Sequence, residues 1–327
     1  MIITKTPFRV SFCGGGSDIP DFYKAYGGCV LSTSINRYMY LTIHPYFDET
    51  RTALKYSSIE IVRDIGEVQH SIFRQVLTDM GISGVEISST ADVPSGTGLG
   101  SSSSFTVGLI HTLYCFKGKY VSKEEIARQA CMVEIEELGN PIGKQDQYAA
   151  ACGGLNFIEF NRDDSVRVSP VIMDEKIKKK LEENIVVYYT GMKHDANAIL
   201  AEQKENISQQ DKTRKLKRMC ELTREMKSAL ESNDISDFGN ILNEGWRLKR
   251  ELANGITNND IDELYDKAIK NGAVGGKLLG AGGGGFLLFY CEKSDQERLD
   301  ECLGLKKFPI RFEHDGTSVV HIGDKYW

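Results

Sequence analysis

The sequence predicts an α+β protein built as two domains, and three observations carry that prediction. A chain of 327 residues and 36.5 kDa is about two ordinary domains of ~150 residues each. Strand and helix patterns alternate through the first 160 residues, after which the texture changes to long charged helical stretches. Glycine is abundant, 32 residues or about 10 % of the chain against a usual ~7 %, and it clusters where strands end.

In chain order, Val10–Cys13 is a short apolar run that stops at Gly14-Gly15-Gly16. Residues Val30 to Ile43 are rich in β-branched and aromatic side chains and read as strand pairs. Gly84–Ser89 alternates and leads into Asp92-Val-Pro94 as a strand. Phe105–Phe116 has the length and apolar weight of a buried helix. Ser122-Lys-Glu-Glu125 is a capping box that opens a helix running to about Leu138. Leu155–Phe160 is the strand that closes this half.

The boundary falls near residues 165–184, drawn at 170/171, so that 1–170 and 171–327 are the two domains. There Asn161-Arg-Asp-Asp164 and a lysine-rich helix, Lys176–Lys180, separate two apolar patterns. Ile185–Thr190 is a strand, Asp195 to about Glu231 is charged and helical, and a helix through Ile261, Leu264, Tyr265, Ala268 and Ile269 ends at Asn271-Gly272. A strand Phe286–Cys291 follows a second glycine loop.

Composition removes several function classes. With 40 Lys plus Arg against 46 Asp plus Glu, the net charge of −6 provides no basic field for nucleic acid. The eight cysteines have no Cys-x-x-Cys or zinc-ribbon spacing. Lys5 and Arg9 interrupt the place where a signal peptide's apolar stretch would lie, and no run approaches ~18 apolar residues. The expectation is a reduced, soluble, cytoplasmic protein that binds neither nucleic acid nor membrane.

The strongest chemical signal is Pro94-Ser-Gly96-Thr-Gly98-Leu99-Gly100-Ser101-Ser102-Ser103-Ser104. Three alternating glycines let the backbone curl against a ligand without Cβ obstruction. The helix that follows aims its unpaired N–H groups and positive dipole end at whatever the loop encloses. The serines add hydroxyls for phosphate or Mg²⁺. A Walker A loop is excluded because no Gly-Lys is followed by Ser or Thr, and Ser101 replaces the third glycine of a dinucleotide fingerprint. The bland alternative is a flexible Gly/Ser turn.

Two further segments point into a cleft. Arg9 at the start of a strand and Asp18 beyond its glycine turn can face one site; alone, each is equally a surface charge and a turn residue. Glu134 and Asp146 flank the turn Gly139-Asn-Pro-Ile-Gly143, an arrangement that suits one metal-binding and one proton-accepting carboxylate. Glu136 and Glu137 compete for the metal role on spacing and read as solvated helix surface. Gly275–Gly285 is the second glycine loop, for which tight backbone packing and a binding role compete.

Together these segments resemble the GHMP small-molecule kinases. Pro7-Phe-Arg9 to Asp18 resembles that family's first motif, Pro94 to Ser104 the second, and Gly276 to Gly285 the third, so the resemblance covers essentially the whole chain. It implies the GHMP two-domain fold: an N-terminal ribosomal-protein-S5-domain-2-like domain and a C-terminal ferredoxin-like domain with the active site between them. Gly143-Lys-Gln-Asp146-Gln147 is similar to the sugar-kinase branch, and Cys13-Gly-Gly-Gly-Ser-Asp18 to its heptose-phosphate members. The expected reaction is therefore ATP-dependent phosphorylation of the anomeric hydroxyl of D-glycero-D-manno-heptose 7-phosphate, for nucleotide-activated heptose and surface glycan synthesis.

The resemblance also assigns residues. Pro94, Gly96, Gly98, Leu99, Gly100 and Ser101–Ser104 hold ATP, and Ser102 with Glu134 holds Mg²⁺. Asp146 accepts the hydroxyl proton and Arg9 offsets charge at the transfer. Gly16, Ser17, Asp18 and Gly282, Gly283, Gly284 contact substrate, and Lys193 is the first candidate for the sugar's phosphate. The adenine pocket is sought around Tyr56 to Arg63. The expected partner is the phosphorylated sugar, with a homodimer as the candidate assembly. The alternatives are a 1-kinase of an unphosphorylated sugar such as fucose, a non-catalytic nucleotide- or sugar-binding module, and the family's decarboxylase branch; Gly143–Gln147 and the first loop disfavour the last.

Overall fold

A computed structural model describes residues 1–192, 196–207 and 209–323. In chain order the elements are β1 (Ile2–Cys13), α1 (Pro20–Tyr26), β2 (Gly28–Pro45), β3 (Thr52–Lys55), β4 (Ile59–Val62), α2 (Ser71–Met80), β5 (Val85–Ala91), α3 (Ser101–Phe116), α4 (Lys123–Cys131) and α5 (Gln145–Cys152). They continue as β6 (Leu155–Phe160), β7 (Val166–Pro170), α6 (Glu175–Asn184), β8 (Ile185–Tyr189), α7 (Ala196–Asn206), α8 (Gln210–Glu231), α9 (Phe238–Lys249), α10 (Asn259–Lys270), β9 (Ala273–Leu278), β10 (Phe286–Cys291), α11 (Gln296–Leu303), β11 (Lys306–Lys307) and β12 (Ser318–Ile322).

Among the described residues the first sheet has the order β12-β1-β2-β5-β3-β4, with β6 and β7 added through β2. The region expected to be strand pairs is a single long strand, β2. It pairs with β1 along one edge, while its other edge meets β6 at residues 28–33 and β5 at residues 39–45. Its run of β-branched and aromatic residues carries no internal turn signal because one strand here serves two partners. The β1–β2 register slips between Pro7 and Phe8. The extra residues, Asn36 and Arg37, lie on β2, opposite a proline that has no N–H to give the ladder.

The second sheet has the order β11-β8-β10-β9 and all its pairs are antiparallel. With α7–α10 joining β8 to β9 in the chain and α11 between β10 and β11, that order is the ferredoxin-like arrangement expected. The strand β12 returns from the C-terminal half to pair with β1. A division at 170/171 therefore cuts through one sheet that is completed by residues 318–322.

Two helices depart from expectation. The helix opened by Ser122, whose Oγ accepts the Glu125 N–H, is α-helical only to Cys131 and continues as a π-helical turn, Met132–Glu137. The charged stretch to Glu231 is divided into α7 and α8. Among the described residues, no helix is long and apolar enough to cross a membrane.

Candidate active site

A cleft of about 920 Å³ lies between the two sheets' domains. One end is apolar and aromatic: Met39, Tyr56, His70, Ile72 and Phe105 line it. Tyr56, His70, Phe73 and Phe105 pack ring on ring there. Within the region searched for an adenine pocket, Tyr56 and Ser57 line the cleft and Ile59–Arg63 do not. The other end is polar and charged.

The glycine-serine loop crosses the middle. Gly96, Gly98 and Gly100 all have positive φ (+72°, +85° and +77°), a conformation that glycine adopts without Cβ strain. Gly100 begins α3 without a side-chain cap, and the first turn holds no acidic residue. The opening N–H groups of α3 therefore face the cleft and favour an anion. Pro94, Gly96, Gly98, Gly100 and Ser101–Ser103 line the cleft. Leu99 and Ser104 do not: Leu99 is buried and its carbonyl accepts the Arg9 N–H, while the Ser104 hydroxyl donates to the Pro7 carbonyl. Those two residues fasten the loop to β1 rather than meet a ligand.

Arg9 and Asp146 form a bidentate pair, Nε to Oδ1 at 2.7 Å and Nη2 to Oδ2 at 2.5 Å. The remaining Arg9 nitrogen, Nη1, donates to the Gly98 carbonyl at 2.7 Å. One guanidinium thus fixes the carboxylate and the glycine-serine loop relative to each other. Asp18 is fully buried and accepts from the Gly16 and Gln145 N–H groups and from Gln145 Nε2. Burial raises its pKa, and the Gly16 donor opposes that. A Cβ on Gly143 would lie 2.0 Å from Asp18 Oδ2, so the turn before α5 must carry glycine for Asp18 to fit. Ser17 departs from expectation: its hydroxyl exchanges hydrogen bonds with the Cys29 backbone, which latches the loop to β2 and keeps it out of the cleft.

Glu134 sits on the π-helical turn. Inserting a π-type turn rotates the residues that follow relative to an ordinary helix, and here Glu134 is wholly buried while Glu136 and Glu137 are exposed. Its Oε1 accepts from Ser102 Oγ at 2.7 Å and its Oε2 from Gln147 Nε2 at 2.7 Å. Burial raises the Glu134 pKa, and the Ser102 bond partly offsets this. Among the described residues no cluster of three or more His, Cys, Asp or Glu builds a protein-only metal cage. A hydroxyl–carboxylate pair beside the glycine-serine loop fits Mg²⁺, which takes one or two carboxylates and fills its shell with phosphate oxygens and water.

The second glycine loop meets the first directly. A Cβ on Gly98 would stand 2.4 Å from the Leu279 carbonyl oxygen, and one on Gly285 would stand 2.3 Å from that of Thr97. Gly282 and Gly284, expected at the substrate, press instead on the backbones of Ile256 and Met192. Gly280 and Ala281 are the members that line the cleft; Gly282, Gly283 and Gly284 do not. Their glycine content answers close packing against neighbouring loops of the same C-terminal half. Lys193 lies outside the described residues.

Several cleft residues went unread in the sequence: Ser11, Gln145, Gln203, Lys249 and Lys277. Ser11 Oγ, Gln145 Oε1 and Gln203 Nε2 are buried without a hydrogen-bond partner among the described residues, as befits groups that await ligand hydroxyls. Lys249 and Lys277 are 6 % and 4 % exposed. A lysine inside the otherwise uncharged β9 was a legible signal; Lys249, amid Arg247 and Arg250, was not.

The sequence matches the family models for the GHMP kinases N-terminal domain over residues 67–154 and the GHMP kinases C-terminal domain over 226–309. The chain belongs to the GHMP kinases and is an ATP-dependent phosphotransferase. Among relatives, it is 32 % identical to the D-glycero-alpha-D-manno-heptose 7-phosphate kinase of Campylobacter jejuni, over 92 % of this chain and 93 % of that one. It is 28 % identical to the bifunctional fucokinase/GDP-fucose pyrophosphorylase of Arabidopsis thaliana over 91 % of this chain, which spans only 31 % of that protein. A crystal structure of a D-glycero-D-manno-heptose 1-phosphate kinase from Bacteroides thetaiotaomicron superimposes with a TM-score of 0.80 at 27 % identity, covering 99 % of this chain and 100 % of that one.

Proposed function

We propose that this ATP-dependent sugar kinase transfers the γ-phosphoryl group of ATP to the anomeric hydroxyl of D-glycero-D-manno-heptose 7-phosphate, giving the 1,7-bisphosphate. The single observation that carries the reading is the bidentate Arg9–Asp146 pair beside Gly98, because it ties the proton acceptor to the phosphate loop. Full-length similarity to a heptose 7-phosphate kinase supports the choice of sugar. Such a product would enter nucleotide-activated heptose and surface glycan synthesis.

In the reaction, the acceptor oxygen forms a bond to the γ-phosphorus as the bond to the bridging oxygen of ADP breaks, and the hydroxyl proton passes to an Asp146 oxygen. A positioned carboxylate suffices as proton acceptor where the transition state is loose and the proton leaves late. Arg9 stands against the charge that develops on the transferring group, a contribution that dominates such chemistry. The opening N–H groups of α3 hold the ATP phosphates, and the aromatic end of the cleft takes the base. Mg²⁺, held by Ser102 and Glu134, would neutralise phosphate charge when bound. Asp18, Gln145, Ser11 and Gln203 would hold sugar hydroxyls.

The relatives' names differ on which carbon of the heptose bears phosphate, and the unphosphorylated-sugar alternative keeps the same chemistry. Coupled ADP release with Mg-ATP across heptose 7-phosphate, heptose 1-phosphate, mannose 6-phosphate, fucose and galactose separates these readings, with phosphorus NMR of the product. The expected result is turnover of heptose 7-phosphate with a new anomeric phosphate signal. Turnover confined to fucose or galactose would overturn the assignment of substrate.

A further inference from the structure

We infer that Lys249 and Lys277, from α9 and β9 on the acceptor side of the cleft, form the binding site for the phosphomonoester that the sugar carries. The inference rests on the reading of a phosphorylated sugar substrate and names the residues that recognise it.

Each ammonium has three donors, and each spends one on a backbone carbonyl: Lys249 Nζ on Gly280, Lys277 Nζ on Phe12. Among the described residues, neither lysine has a carboxylate within ion-pair distance. The nearby carboxylates are already engaged, Asp146 by Arg9 and Asp18 by the N–H groups of Gly16 and Gln145. The Cys13 thiol beside Lys277 offers no thiolate, because burial raises its pKa and holds it neutral. Among the described residues this wall therefore carries Arg9, Lys249 and Lys277 against Asp18 and Asp146. Buried cations without counter-ions are strongly disfavoured, and burial accordingly lowers the pKa of Lys249 to about 8 and that of Lys277 well below the usual lysine range.

The missing counter-ion is an arriving anion with charge near −2, which a phosphomonoester supplies at neutral pH. The phosphates of ATP already have their cradle in the glycine-serine loop and the start of α3. The lysines instead share their end of the cleft with Ser11, Asp18, Gln145 and Gln203, the groups suited to a sugar. A phosphomonoester gives these lysines an anion to pair with in their ammonium form, and an uncharged sugar forfeits that pairing, so the same pair selects against it.

Lys249→Met and Lys277→Met keep the length of the stem and remove the charge. Two readouts are needed: steady-state kinetics with heptose 7-phosphate and with the dephosphorylated heptose, and thermal protection by inorganic phosphate with Mg-AMP-PNP filling the nucleotide site. For each variant the KM for the sugar phosphate should rise about 10- to 100-fold, with a much smaller change in the KM for ATP. Inorganic phosphate should protect the wild type and fail to protect the variants, whose ligand-free melting temperatures should equal or exceed that of the wild type. Absence of phosphate protection in the wild type would overturn the site. An equal loss of kcat on both sugars, with KM unmoved, would assign the lysines to the phosphoryl group in transfer and overturn the inference. Lysine-dependent phosphate protection in an enzyme that does not turn over heptose 7-phosphate would sustain the anion site and discard the heptose substrate instead.

Discussion

On one side of the cleft the groups of the glycine-serine loop come from a single run, Pro94 to Ser103, and much of what they offer is backbone. On the other they are side chains gathered from β1, the loop after it, α5, α7, α9 and β9. The first kind of site demands a local conformation, so it leaves glycines and serines in an unbroken string. The second demands only that distant residues converge, and it leaves isolated polar residues in otherwise apolar elements. A phosphate chain can be held by backbone N–H groups whatever the acceptor, whereas choosing among sugars takes particular side chains at particular distances.

Removing the group that joins the two sides should have the largest effect. Asp146→Asn keeps the shape while losing the proton acceptor and the ion pair, and kcat should fall about 10²- to 10⁴-fold. ATP binding, measured by calorimetry, should survive. Near-normal turnover would leave Asp146 only an orienting role.

The contact between the two glycine loops comes next. Gly98→Ala would place a Cβ 2.4 Å from the Leu279 carbonyl oxygen at a φ of +85°. The expected loss is about 1–3 kcal/mol, visible in chemical denaturation, together with a raised KM for ATP. Gly96→Ala has the same sign of φ but nothing within 4 Å, so it should cost less. Equal losses would show that backbone strain alone, and not the contact between domains, makes glycine necessary at Gly98.

A smaller effect is expected at Glu134. Glu134→Gln should raise the Mg²⁺ concentration needed for half-maximal rate about tenfold or more, and leave the KM for sugar less affected. An unchanged Mg²⁺ titration would remove Glu134 from the metal site.

The smallest effect concerns pH. Lys249 has its pKa lowered from 10.5 to about 8, chiefly by burial and then by Arg9, with Asp18 and Asp146 opposing. Between those two values the unfolded chain holds a proton at this lysine that the folded chain has released. The ligand-free protein should therefore gain stability from Lys249 as pH rises from about 8 to 10.5, and lose that gain as pH falls back through 8. In Lys249→Met the slope of melting temperature against pH over this window should flatten, and a slope equal to wild type would show that the lysine is not desolvated.

The legibility of the chain follows the same division. The glycine-serine loop, Arg9, Asp18 and Asp146 could be singled out as cleft residues because each belongs to a motif with fixed spacing. In the C-terminal half the cap at Asn271-Gly272 and the strand after the glycine loop were legible as elements, whereas their ferredoxin-like arrangement was implied only by the resemblance. Glu134 could be named, but not the π-helical turn that buries it, since a one-residue change in helical winding leaves no mark in composition. The glycines at 282–284 looked like a ligand loop because close backbone packing and ligand approach ask for the same residue. Lys249 and Gln203 were invisible: their environment is made by elements far away in sequence, and only burial distinguishes them from surface residues of the same type.

The most direct test is the ratio of kcat/KM for D-glycero-D-manno-heptose 7-phosphate to that for the same heptose without its phosphate. A ratio of about 10² or more in favour of the phosphorylated sugar is the predicted result and would place selectivity on the acceptor wall. A ratio near one would contradict the account, because a phosphate bound by two buried lysines cannot be removed from the substrate without consequence.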